Sequence, residues 1–93
     1  MSKLSEAEIT THLEALVGWA RQGETISKTF KLPGFPAAIA FVTQIGFLAE
    51  AANHHPDIDI RWNKVTLALS THDAGGLTAK DFDLAAAADE AMG

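Results

Sequence analysis

Apolar and polar positions recur along this chain with two different periods, and the switches between them mark its elements. Ser5-Glu6-Ala7-Glu8 sets a hydroxyl three residues ahead of a carboxylate, the capping box that satisfies free N–H groups at a helix start. Ile9, Leu13, Leu16 and Val17 follow at helical spacing, and Gly18 is the expected stop. Residues 19–22 read as a short strand and Gly23 as the turn after it. Residues 25–32 alternate, with Ile26, Phe30 and Leu32 on one face and Thr25, Ser27, Thr29 and Lys31 on the other, and Lys28 interrupts the apolar face.

Pro33-Gly34-Phe35-Pro36 breaks that strand, and Pro36 suits the first turn of a helix. The spacing predicts the longest helix over 35–53. Ile39, Phe41, Val42, Ile45, Phe47, Leu48 and Ala51 wrap more than half of it, which predicts central burial or a subunit contact. Pro56 turns the chain out of helix. Residues 57–62 and 64–70 alternate again. A two-residue turn at Asn63-Lys64 would pair Trp62 with Val65, Ile60 with Leu67 and Ile58 with Leu69, giving Trp62 a place on the apolar face. After Ala74-Gly75-Gly76, Thr78 and Asp81 form a second, shorter capping box for an alanine-rich helix over 79–92, whose alanines should pack closely against a neighbour.

The order α-β-β-α-β-β-α predicts an α+β fold: a four-stranded antiparallel sheet with three helices on one face. With 93 residues there is room for one domain, spanning 1–93. The absence of cysteine excludes disulfides and thiolate metal sites. A net charge of −5, with scattered Lys and Arg, argues against nucleic-acid binding. Neither a signal peptide nor an apolar run of the ~20 residues of a membrane span is read from the sequence, so the expected location is the cytoplasm, with no membrane association.

The candidate chemistry lies in the histidines. Extending the proposed hairpin brings His54-His55-Pro56 opposite Thr71-His72, so three of the four histidines converge at one end of the sheet. Imidazole exchanges protons near neutral pH, and several in one cleft suit acid/base catalysis. Glu50, Asp57, Asp73 and Asp81 are the carboxylates placed to orient them. A helix-end pair that complements the dipole is the plainer reading of His54 and His55. Metal binding is a third, disfavoured because adjacent side chains point apart and no HExxH pair is present. His12 falls on the polar side of the first helix and is expected in solvent.

Glu50, His54-His55-Pro56, Trp62, His72 and Asp81, at their spacing, resemble the pterin-4a-carbinolamine dehydratase family. Gly18-Trp19, the 64–70 strand running into Ser70-Thr71-His72, and Gly76-Leu77 extend the likeness over nearly the whole chain. The resemblance implies dehydration of 4a-hydroxytetrahydropterin to quinonoid dihydropterin, completing pterin recycling after an aromatic amino-acid hydroxylase has acted. It implies no metal and no organic cofactor, and assembly as a homodimer or homotetramer. It makes His54, His55 and His72 the catalytic histidines. Substrate contacts map to Asn53, His54, His55, Ser70, Thr71, His72 and Asp73, with Trp19 lining the pocket and Glu50 and Asp81 supporting it. Asn53 and Asp73 depart from the Asp and Glu familiar at those positions, which bears on substrate affinity more than on chemistry. Animal members also bind a homeodomain transcription factor, so the resemblance admits a non-catalytic interaction module. A role in molybdopterin metabolism is a further alternative.

Overall fold

The computed structural model describes residues 2–93. Among them, α1 is Glu6–Ala15, β1 Ala20–Gln22, β2 Thr25–Lys31, α2 Phe35–Ala52, β3 Asp57–Arg61, β4 Lys64–Leu69 and α3 Ala79–Met92. The strands form one antiparallel sheet in the order β1-β2-β4-β3. A 3-10 turn at His72–Ala74 links β4 to α3. The α+β order drawn from the alternation is therefore the observed one.

Strands β2 and β4 are central, and their alternation is read directly in the burial. Ile26, Phe30, Val65, Leu67 and Leu69 face the helices, where they meet Ile9 of α1, Phe41 and Ile45 of α2, and Phe82 and Leu84 of α3. Side chains of this size contribute about 1.5–3 kcal/mol each when fully buried. The opposite face carries Thr29 and Thr66, whose exposed hydroxyls lie 2.8 Å apart, so the helices cover one side only. Ala85 and Ala88 are fully buried and let α3 approach closely.

Lys28 shares the inward face of Ile26 and Phe30 without breaking the strand. Its ammonium reaches Asp89 of α3 at 2.8 Å and the Val17 carbonyl at 3.2 Å, and sits 5.0 Å from the Phe30 ring centre. Helix α1 ends at Ala15, short of Gly18; the glycine instead adopts φ +93° in the turn toward β1, against the Lys28 side chain.

Three expectations are corrected. The hairpin turn is Trp62-Asn63, closed by Arg61 opposite Lys64, so Ile60 faces Val65 and Ile58 faces Leu67. That register differs by two residues from the one alternation predicts. A two-residue shift keeps every face intact, so alternation cannot choose between them. Asn63 chooses: it is buried, its side-chain amide donates to the Leu32 carbonyl at 3.0 Å, and its backbone carbonyl accepts from Leu32 N–H at 2.8 Å. Trp62 consequently takes φ 53° in the turn and is 70% exposed rather than part of the core.

His12 is half-buried, stacked on Phe82 with ring centres 4.7 Å apart, rather than solvated. Helix α2 lies at the surface, so of its two expected roles central burial is excluded. It has the 18 residues and mean hydropathy of 1.5 that a membrane crossing needs by composition. Yet Ala38, Phe41, Ile45 and Ala49, about one turn apart, pack into the core, while Phe35, Ile39 and Phe47 project outward.

Candidate active site

The end of α2 delivers the first histidine. Asn53 adopts the left-handed conformation, φ 51° and ψ 45°, which asparagine tolerates better than most residues. Its N–H reaches the Glu50 carbonyl at 3.1 Å, and His54 N–H reaches Ala49 at 3.0 Å. These paired bonds form a Schellman closure, which turns His54 off the helix axis and into the protein. An asparagine at position 53 therefore has a backbone reason. The β3–β4 register sets Asp57 opposite Ala68, and continuing it three residues brings His54 opposite Thr71. Thr71 and Gly76 exchange backbone hydrogen bonds at 3.2 Å each way, closing the turn that carries His72 and Asp73.

These segments enclose an open cavity of about 330 Å³ lined by Asn53, His54, His55, Ser70, Thr71, His72 and Asp73. Its size falls in the range of small-molecule sites. Two smaller cavities adjoin it. One, of about 270 Å³, lies between Glu24-Thr25 and the turn from Ser70 to Gly76. The other, of about 200 Å³, runs from Asn53 and His54 toward Lys80.

The three histidines are held differently. His54 is buried, and its Nε2 lies 2.5 Å from Oδ1 of Asp81, a fully buried carboxylate. Oδ2 of Asp81 accepts from the Thr71 hydroxyl at 2.8 Å and from Thr78 N–H at 3.0 Å. The Asp81 side chain thus closes the α3 capping box and holds His54 at the same time. Three donors satisfy an otherwise costly buried carboxylate. With Nε2–H donated to Asp81, the neutral form of His54 carries its lone pair on Nδ1. His55 is exposed and pairs with Glu50 at 2.9 Å, one helical turn back on α2. His72 is exposed at the start of the 3-10 turn.

Of the residues singled out from the sequence, all the expected contact residues except Trp19 line this cavity, and Glu50 and Asp81 each hold one of its histidines. Trp19 is a correction. It is buried in the core, its ring edge toward Phe30 at 6.0 Å and its indole N–H donating to Asp89 at 3.0 Å. That hydrogen bond ties it to the same carboxylate as Lys28, outside the cavity lining. Thr78 was legible only as a helix cap; its link to Thr71 and Asp81 depends on how the 72–77 turn folds back.

The chain matches the family model for pterin 4 alpha carbinolamine dehydratase over residues 2–91. It is 68% identical over 91 residues to a protein of Roseiflexus sp. (strain RS-1), covering 98% of each chain. It is 64% identical over 93 residues to one from Chloroflexus aurantiacus, covering all of both. Both relatives are named, provisionally, pterin-4-alpha-carbinolamine dehydratases. Among solved structures, a transcriptional coactivator/pterin dehydratase from Brucella melitensis superposes with a TM-score of 0.95 at 33% identity, covering 99% of this chain and 100% of that one. A pterin dehydratase-like protein described as a RuBisCO assembly factor shares the fold, with a TM-score of 0.70 at 24% identity over 82% of this chain and 90% of its own. Matched from end to end in sequence and in fold, the chain belongs to the pterin 4 alpha carbinolamine dehydratase family.

Proposed function

We propose that this protein dehydrates 4a-hydroxytetrahydropterin to quinonoid dihydropterin by histidine acid/base catalysis, in recycling the pterin used by an aromatic amino-acid hydroxylase in the cytoplasm. The observation that carries the proposal is the pair of His54 and buried Asp81, in a cavity that His55 and His72 also line. Dehydration needs a proton on the leaving 4a-oxygen and removal of one from a ring nitrogen. In this scheme His72, protonated, gives its proton to the 4a-oxygen as the C4a–O bond breaks. The ring nitrogen supplies the electron pair for the new double bond, and its proton passes to Nδ1 of His54. Water leaves, and the two imidazoles return to their starting states by exchanging one proton with solvent. His55, tied to Glu50, binds the substrate or relays protons at the cavity mouth. Asn53, Ser70 and Asp73 offer polar contacts to the pterin.

Each acid/base group is typically worth about 10²–10⁴ in rate. His54→Ala and His72→Ala should each lose turnover in that range, and His55→Ala less, in an assay of 4a-hydroxytetrahydropterin dehydration. Near-wild-type turnover in all three variants, or no acceleration by the wild type over the spontaneous reaction, would remove the proposal.

The projecting Phe35, Ile39 and Phe47 of α2 support self-association as a dimer or tetramer, read by sedimentation of the wild type and Phe47→Glu. The same surface is what an interaction module would use. A stable partner complex combined with absent dehydratase activity would favour that second reading.

A further inference from the structure

We propose that the Thr71 hydroxyl is a positioning group for His54 and not a hydrogen-bond donor to the substrate. Its catalytic consequence rests on the dehydratase reading above; its structural consequence does not.

Counting donors fixes the direction of every bond around it. The Asp81 carboxylate can only accept, so the 2.8 Å bond to its Oδ2 takes the single Thr71 hydroxyl proton. The 2.9 Å contact between the Thr71 and Thr78 hydroxyls must then be donated by Thr78. Thr78 Oγ1 in turn accepts from Lys80 N–H at 3.3 Å. The result is a one-way chain from the first turn of α3 through Thr78 and Thr71 to Asp81. All three side chains belong to buried residues: Thr71 is 8% exposed, and Thr78 and Asp81 are 0% exposed. The Thr71 hydroxyl therefore has no proton left for a ligand, although the residue lines the cavity.

What the hydroxyl does is hold one carboxylate oxygen so that the other faces Nε2 of His54 at 2.5 Å. Two donors, Thr71 and Thr78 N–H, pin Oδ2 and stop the carboxylate from rotating. The same residue sets the second histidine through its backbone, because its paired bonds to Gly76 close the turn bearing His72. Thr71 is thus a common anchor for both proposed proton-transfer groups.

The test compares Thr71→Val, which keeps the shape and removes the hydroxyl, with Thr71→Ser, which keeps the hydroxyl. Steady-state kinetics and the ring-nitrogen NMR signals of His54 are measured on each. Thr71→Val should lower kcat about tenfold, the worth of one charge-assisted hydrogen bond, with KM within about twofold. Thr71→Ser should stay within about twofold of wild type in both constants. In Thr71→Val the Nε2-bound proton of His54 should exchange faster with solvent than in wild type and in Thr71→Ser. Thr71→Ala carries the same comparison should Thr71→Val not fold. The proposal is overturned if KM rises more than kcat falls, if Thr71→Ser is as impaired as Thr71→Val, or if His54 proton exchange is unchanged. An inactive wild type would sink the dehydratase reading alone, because the NMR comparison needs no turnover.

Discussion

Replacing Asp81 with asparagine changes one oxygen to an NH2 group at almost constant volume, and the site geometry says where the damage falls. Three donors converge on this carboxylate: His54 Nε2–H on Oδ1, and the Thr71 hydroxyl and Thr78 N–H on Oδ2. An amide has one accepting atom. Placing its oxygen on the Thr71 and Thr78 side keeps two of the three bonds and turns its NH2 toward His54. His54 can then bond only by accepting at Nε2, which moves its ring proton to Nδ1 and removes the lone pair proposed to take the substrate's proton. Where an amide forces the wrong tautomer in a histidine–aspartate pair, the loss in kcat reaches about 10⁴. For a site with two other histidines we expect a loss of about 10²–10⁴. The lost charge-assisted bond should also cost about 1–3 kcal/mol of stability. For a domain of this size that lowers the melting temperature by roughly 4–8 °C per kcal/mol. The assay is steady-state dehydration with the spontaneous rate subtracted, on protein shown by thermal melting to be folded at the assay temperature. Turnover by Asp81→Asn within about threefold of wild type would refute the tautomer argument.

Three further predictions concern the scaffold. Asn63→Ala removes the buried bond to the Leu32 carbonyl that ties the β3–β4 turn to the end of β2. It should destabilise the protein by about 1–2 kcal/mol in urea melts, with activity per folded molecule retained. Trp62→Asn relieves the positive φ of 53° at an exposed turn position and should raise stability by about 0.5–1 kcal/mol, seen as a higher melting temperature. The carboxyls of Glu6 and Glu8 are both held below their usual range, Glu6 first by its bond to Arg21 and Glu8 by the Ser5 N–H. Their contribution is present above pH 4.5, the ordinary value, and is lost as pH falls through the lowered folded values. A Glu6→Gln/Glu8→Gln variant should therefore show a flatter fall in melting temperature below pH 4.5 than wild type; parallel curves would contradict the assignment.

Local patterning determined much of this molecule. Ser5 and Glu8 specify the start of α1, and the alternation at Ile26, Phe30, Val65, Leu67 and Leu69 specifies which face of the sheet is covered, because each depends on residues near in sequence. The spaced histidines, with Glu50 and Asp81, identified both the family and the end of the sheet where the cavity lies. Three features required the folded chain. The hairpin register depended on Asn63 meeting Leu32, a bond across strands that a period of two cannot see. The place of Trp19 depended on Asp89, far away along the chain, whose carboxylate claims the indole N–H and the Lys28 ammonium together. And Asp81 reads in sequence as a helix cap and as one of several carboxylates near the histidines; only the return of the turn after β4 assigns its second oxygen to His54. Short-range periodicity encodes faces and ends of elements, whereas the pairing of polar groups from distant segments is decided by which buried donors and acceptors the fold must satisfy.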